Sequence, residues 1–109
     1  MITIDDFKKV ELRIGTIIKA EEYPEANIPA YKLEIDFGGF GIRKSSAQIM
    51  AHYTADELMN KQVIAIVNFA PKKIASFVSE VIIVGANGKN DDIILLALDK
   101  PMPNGSKIS

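Results

Sequence analysis

Residues 62–86, QVIAIVNFAPKKIASFVSEVIIVGA, decide the fold. Two apolar runs, Val63–Phe69 and Val78–Val84, flank a segment that carries Pro71, Lys72, Lys73 and Ser76. Short runs rich in β-branched residues and bounded by breakers read as buried strands rather than helices. The segment between them belongs on the surface, because adjacent lysines are costly to bury without partners. Two buried strands thus present a small cationic stretch to solvent.

Working outward, Val10–Ala20 reads as a long strand with Leu12, Ile14, Thr16 and Ile18 on one face. Gly15 inside it signals a bend or a close backbone approach, and Arg13 reads as a solvated strand residue. Glu21–Ala30 is a loop, and Tyr31–Phe37 is a second strand with Tyr31, Leu33, Ile35 and Phe37 inward. Gly38-Gly39-Phe40-Gly41 makes the turn to a third strand, Ile42–Ile49, whose polar residues need water or a groove. Thr54 and Glu57 form a capping box that predicts a helix over Ala55–Asn60, with Leu58 and Met59 as its apolar contacts. Thr3 and Asp6 predict a shorter helix over Ile4–Lys9, which must dock on something to persist. Asn87-Gly88 turns the chain into a last strand, Asp92–Leu98, and Asn104-Gly105 turns it again. A short helix between the third and fourth strands of an all-β chain predicts a five-stranded Greek-key OB-fold barrel. The additions at its N- and C-termini are expected to form a dimer interface.

The 109 residues suit a single domain, 1–109, with one core. A net charge of −1 excludes the overall basic field of most nucleic-acid binders, leaving only a local basic patch open. With no cysteine, thiolate metal sites and disulfides are excluded. The N-terminus lacks signal-peptide character and no apolar run has membrane-span length, so a cytoplasmic protein is expected. Ile64, Ile66, Ile82, Val84, Ile94, Leu96 and Leu98 give several strands two apolar faces, where a small barrel buries one. Either the short helix and the tail cover them, or a second copy does, and a homodimer is expected.

Catalysis has little to stand on. His52 has no nearby acidic or thiol cluster, Asp91-Asp92 and Asp5-Asp6 suit a turn and a helix start, and the serines have no histidine beside them to activate them. The glycines at 38–41 precede a strand, whereas a phosphate loop opens a helix. No catalytic residue, metal or cofactor is assigned, and a binding module is expected.

Four motifs carry a resemblance: Leu12-Arg13-Ile14-Gly15-Thr16-Ile17, Tyr23-Pro24-Glu25-Ala26, His52-Tyr53-Thr54 with Glu57-Leu58, and Asn68-Phe69-Ala70-Pro71-Lys72-Lys73-Ile74 with Ser79. In this order they resemble the tRNA-binding domain family over nearly the whole chain. The stretches Pro24–Gly38 and Lys44–Ile49 are similar to its branch of export-related chaperones. The resemblance implies an oligonucleotide-binding barrel, commonly dimeric, that takes unfolded or precursor polypeptides without ATP or metal, with an export-machinery component as a further candidate partner. Binding of tRNA is the alternative. Several departures thin the cationic surface that RNA would need: Tyr23 replaces a histidine, Asn27-Ile28 omits a lysine, Glu80 follows Ser79, and the insert is less basic.

The expected peptide or tRNA site comprises Arg43, Lys44, Ser45, Ser46 and Gln48 on the third strand with Asn68, Lys72, Lys73, Phe77 and Ser79 around the insert. Phe40 is a further apolar candidate. Each has a plainer reading, as a solvated strand face, a solvated turn or an aromatic folded back on the core.

Overall fold

The rest of the chain hangs on β1 (Leu12–Glu22). In the computed structural model, which describes the backbone of residues 1–109 and every side chain except that of Asp91, β1 pairs with three strands. Its first half runs antiparallel to β4 (Gln62–Ile66), with Ile14 opposite Ile64. Its second half pairs with β2 (Tyr31–Asp36), which pairs in turn with β3 (Ile42–Ala47). Near the start of β1, where β2 does not reach, β10 (Lys107–Ile108) pairs with Leu12 and Arg13. The outer edge of β4 takes β7 (Ile82–Ile83). The sheet curls until the Lys44 carbonyl of β3 accepts the N–H groups of Glu80 at 2.8 Å and Val81 at 3.3 Å, nearly closing an antiparallel OB-type barrel.

The alternation expected for β1 breaks in its middle. Register with β2 slips between Ile17 and Lys19, the mark of a β-bulge. The slip is held from outside the pair: Asn60 N–H donates to Ile17 O at 2.8 Å and Ile17 N–H to Lys61 O at 2.9 Å. Ile17 is therefore buried and Ile18 is 37% exposed, the reverse of an unbroken two-residue period. Arg13 is not the solvated residue that its position suggests. Its guanidinium stacks 3.9 Å from the Phe40 ring centroid and donates to Gly105 O at 2.8 Å.

The core lies on one face of β2 and against its neighbours. Tyr31, Leu33, Ile35 and Phe37 are all buried, as the alternation in that strand predicts, and pack with Ile17, Val63, Ala65 and Val81. Both helices carry the expected capping boxes. In α1 (Ile4–Lys8) and α2 (Ala55–Leu58), the carboxylates of Asp6 and Glu57 accept the N–H of Thr3 and Thr54, which lowers both from the ordinary acidic range. Leu58 plugs the barrel and is fully buried, but Met59 turns out to solvent. α1 buries none of its residues.

The largest departure concerns residues 70–98. The insert is a hairpin of β5 (Lys72–Ile74) and β6 (Phe77–Ser79), turned at Ala75 with φ 53°. Val78 lies on this arm and is exposed, so the predicted buried run does not begin there. The run is divided among β6, β7 and β8 (Gly85–Asn87), and β8 pairs with β9 (Ile93–Leu95), which is shorter than Asp92–Leu98. The reason is separation of partners: β7 belongs to the barrel through β4, while β8 and β9 form a ribbon of their own.

Gly15 meets the expectation of close approach. A Cβ there would stand 2.6 Å from Ile35 Cγ2 and 2.7 Å from the Phe37 ring, both fully buried. Gly15→Ala should therefore destabilise the fold by about 1–3 kcal/mol, since overpacking outweighs the entropy gained by losing a glycine. Urea unfolding is the measurement, and an unchanged midpoint would contradict this packing.

Candidate functional site

Beyond Lys44 the barrel seam opens into a cleft of about 260 Å³. The end of β3 and the residues after it supply Ser46, Gln48 and Ile49, the hairpin supplies Lys72, Ile74 and Ser79, and Ile82, Ile83, Ile93 and Leu95 form an apolar wall. Of the ten residues expected at the site, the cleft gathers four: Ser46, Gln48, Lys72 and Ser79. Strand geometry makes this selection. Ser45, Ala47 and Ile49 alternate inward, while Ser46 and Gln48 face out.

Ser45 is fully buried, whereas the sequence pattern predicts it in the groove. Its hydroxyl donates to Val81 O at 3.0 Å, pinning β3 to the segment that closes the barrel. Asn68 lies elsewhere: its amide accepts from Glu11 N–H at 3.0 Å and donates to Lys9 O at 2.6 Å, fastening the end of α1 to the exit from β4. Arg43 Nε donates to Phe40 O at 3.2 Å, and Phe40 itself lies beneath Arg13. Lys44 spends its N–H on the Glu80 carboxylate, at 3.0 Å. Lys73 alternates away from Lys72 on the hairpin and is exposed. Phe77 packs against Tyr23, with ring centroids 5.7 Å apart.

Two contributors escaped the sequence reading. Of the isoleucine and leucine wall, only Ile82 belongs to the outward apolar set that the short helix and tail or a second copy is expected to cover, and nothing local says that β9 folds beside the end of β3. Tyr23 is the second. Its hydroxyl donates to Ile74 O at 2.5 Å and its ring meets Phe77, so it ties the hairpin to the loop after β1. His52 contacts Asp92, and Tyr53 accepts from Leu95 N–H at 3.0 Å, which anchors the β8–β9 ribbon. Among the described residues no group of acidic and histidine side chains could hold a metal ion.

The family model described as "Putative tRNA binding domain" matches residues 12–107. The chain belongs to the tRNA-binding domain family. Within that family it resembles two solved CsaA chaperones over full length. The Bacillus anthracis str. Ames structure is 47% identical with a TM-score of 0.97, covering 100% of this chain and 99% of that one. The Picrophilus torridus structure is 48% identical with a TM-score of 0.92 and covers both chains completely. The methionine–tRNA ligase of Methanoregula boonei is 40% identical over 108 residues, 99% of this chain. The chain spans only 16% of that ligase's length. Among the described residues, no helix is long and apolar enough to cross a membrane.

Ser45→Ala should cost about 1 kcal/mol of stability, the net worth of one buried hydrogen bond, and leave ligand affinity unchanged. Chemical denaturation and peptide titration of the same variant read the two effects, and a selective loss of affinity would return Ser45 to the site.

Proposed function

We propose that this chain is a single non-catalytic module that holds extended, unfolded polypeptide in the cleft beside β3. On this reading it is an ATP-independent chaperone of the CsaA type, acting on precursor polypeptides in the cytoplasm and linked to their export. The observation that carries the reading is the composition of the cleft. Apolar side chains make its wall, neutral hydrogen-bonding groups of Ser46, Gln48 and Ser79 make its rim, and among the described residues Lys72 is its one charged lining residue. Such a surface suits a ligand recognised through main-chain groups and apolar side chains, with little sequence demand. A polyphosphate backbone would need several cations, and the chain's net charge is −1. The proposal calls for no nucleotide, metal or other cofactor.

Family membership and the ligase relatives favour a second reading, binding of tRNA, for which Arg43, Lys44, Lys72 and Lys73 would supply the phosphate contacts. The two differ in salt dependence. Fluorescence anisotropy with an unfolded precursor peptide and with tRNA, each at two salt concentrations, separates them. Peptide binding that barely weakens with salt is expected. Tight tRNA binding that falls steeply with salt, and flattens when Lys72 and Lys73 are both replaced by alanine, would reverse the ranking.

The module is proposed to work as a homodimer. Ile2, Ile4 and Phe7 are exposed around α1, and Ile94 and Leu96 are exposed on β9 and just beyond. A five-residue helix that buries nothing in its own chain gains its stability from another surface. Light scattering should give twice the monomer mass, falling to the monomer mass in Ile4→Asp/Phe7→Asp. A monomeric wild-type chain at micromolar concentration would refute the assembly.

A further inference from the structure

The barrel seam holds a strand edge that is only partly used. Even-numbered residues of β3 turn their main-chain groups toward the seam. At Lys44 they are taken: the carbonyl receives Glu80 and Val81, and the N–H meets the Glu80 carboxylate. Two residues on, the Ser46 N–H donates to a side chain, Ser79 Oγ, at 3.1 Å, where a closed barrel would have a neighbouring strand. Among the described residues, the Ser46 carbonyl receives no more than the adjacent Ser45 hydroxyl, at 3.4 Å. The inward burial of Ser45 and Ala47 in β3 is repeated at Ile49, two residues past the strand's end, and this alternation puts Gln48 in line with the same edge. Among the described residues, neither main-chain group of Gln48 has a backbone partner.

We infer that an extended polypeptide binds by adding a strand to the Ser46–Gln48 edge, and that Ser79 is a latch which the incoming strand displaces. The inference rests on the peptide-binding reading and specifies its mode. A guest strand offers N–H and C=O groups toward one side at every second residue, about 6.6 Å apart, which matches the spacing of Ser46 and Gln48. Nucleic acid offers no such ladder. The hydroxyl of Ser79 already has a second partner, Val81 O at 3.3 Å, so it remains hydrogen-bonded after giving up Ser46. Alternate side chains of the guest would lie over Ile82, Ile93 and Leu95, so a sequence with an apolar residue at every second position is preferred. Because most of the recognition falls on main-chain groups, many sequences would satisfy it.

The test uses the full chain and a short fluorescein-labelled peptide alternating leucine with serine. Two derivatives carry N-methyl groups on alternate amides, one in each register. Methylation of the amides that face β3 should weaken binding roughly tenfold or more, from the loss of two hydrogen bonds, while the other register is tolerated. Ser79→Ala frees the Ser46 N–H and should tighten binding about two- to fivefold. Equal affinity of both methylated peptides and the parent would overturn strand addition while leaving peptide binding intact. No binding by any of the three would overturn the peptide reading itself. Weaker binding by Ser79→Ala would show that Ser79 is a ligand contact and not a latch.

Discussion

A small barrel must give every strand edge a partner, and this one meets that constraint at a single carbonyl. Lys44 O accepts both Glu80 and Val81, and among the described residues β3 receives no other main-chain bond across the seam. The surrounding amides are served by side chains, Glu80 for Lys44 and Ser79 for Ser46. The buried Ser45 hydroxyl adds a clasp to Val81 from inside. Closure is therefore firm at Lys44 and lapses two residues later. The cleft exists because the seam stops.

β1 sets where that stop falls. It is shared among β2, β4 and β10, and the bulge at Ile17–Lys19 turns its second half away from β4. Gly15 lets β1 approach the Ile35 and Phe37 side chains more closely than any residue with a Cβ could. The bulge is itself pinned by Asn60 and Lys61, directly after α2, so the short helix fixes the bend as well as plugging the barrel.

The cleft's chemistry follows from the same arrangement. Alternation along β3 sends Ser45 into the core and Ser46 and Gln48 outward, and alternation along the hairpin separates Lys72 from Lys73. One lysine faces the cleft where the sequence shows two in a row. Family membership alone points to nucleic acid, whereas the cleft gives its area to apolar wall and uncharged hydrogen-bonding groups. That difference is why the peptide reading ranks first and why salt dependence discriminates between the two.

The alternating residues of Tyr31–Phe37, the two capping boxes, the close approach at Gly15 and the barrel class were legible in the sequence, because each depends on a local period or on a few adjacent residues. The motifs that carry the family resemblance were legible for the same reason. The bulge that exchanges Ile17 for Ile18, the burial of Ser45, the use of Asn68 as a fastener and the division of residues 78–98 between barrel and ribbon were not. The first three depend on partners dozens of residues away in the chain, the last on which of β4 and β9 each short piece pairs with, and only tertiary pairing decides which face of a strand meets its partner.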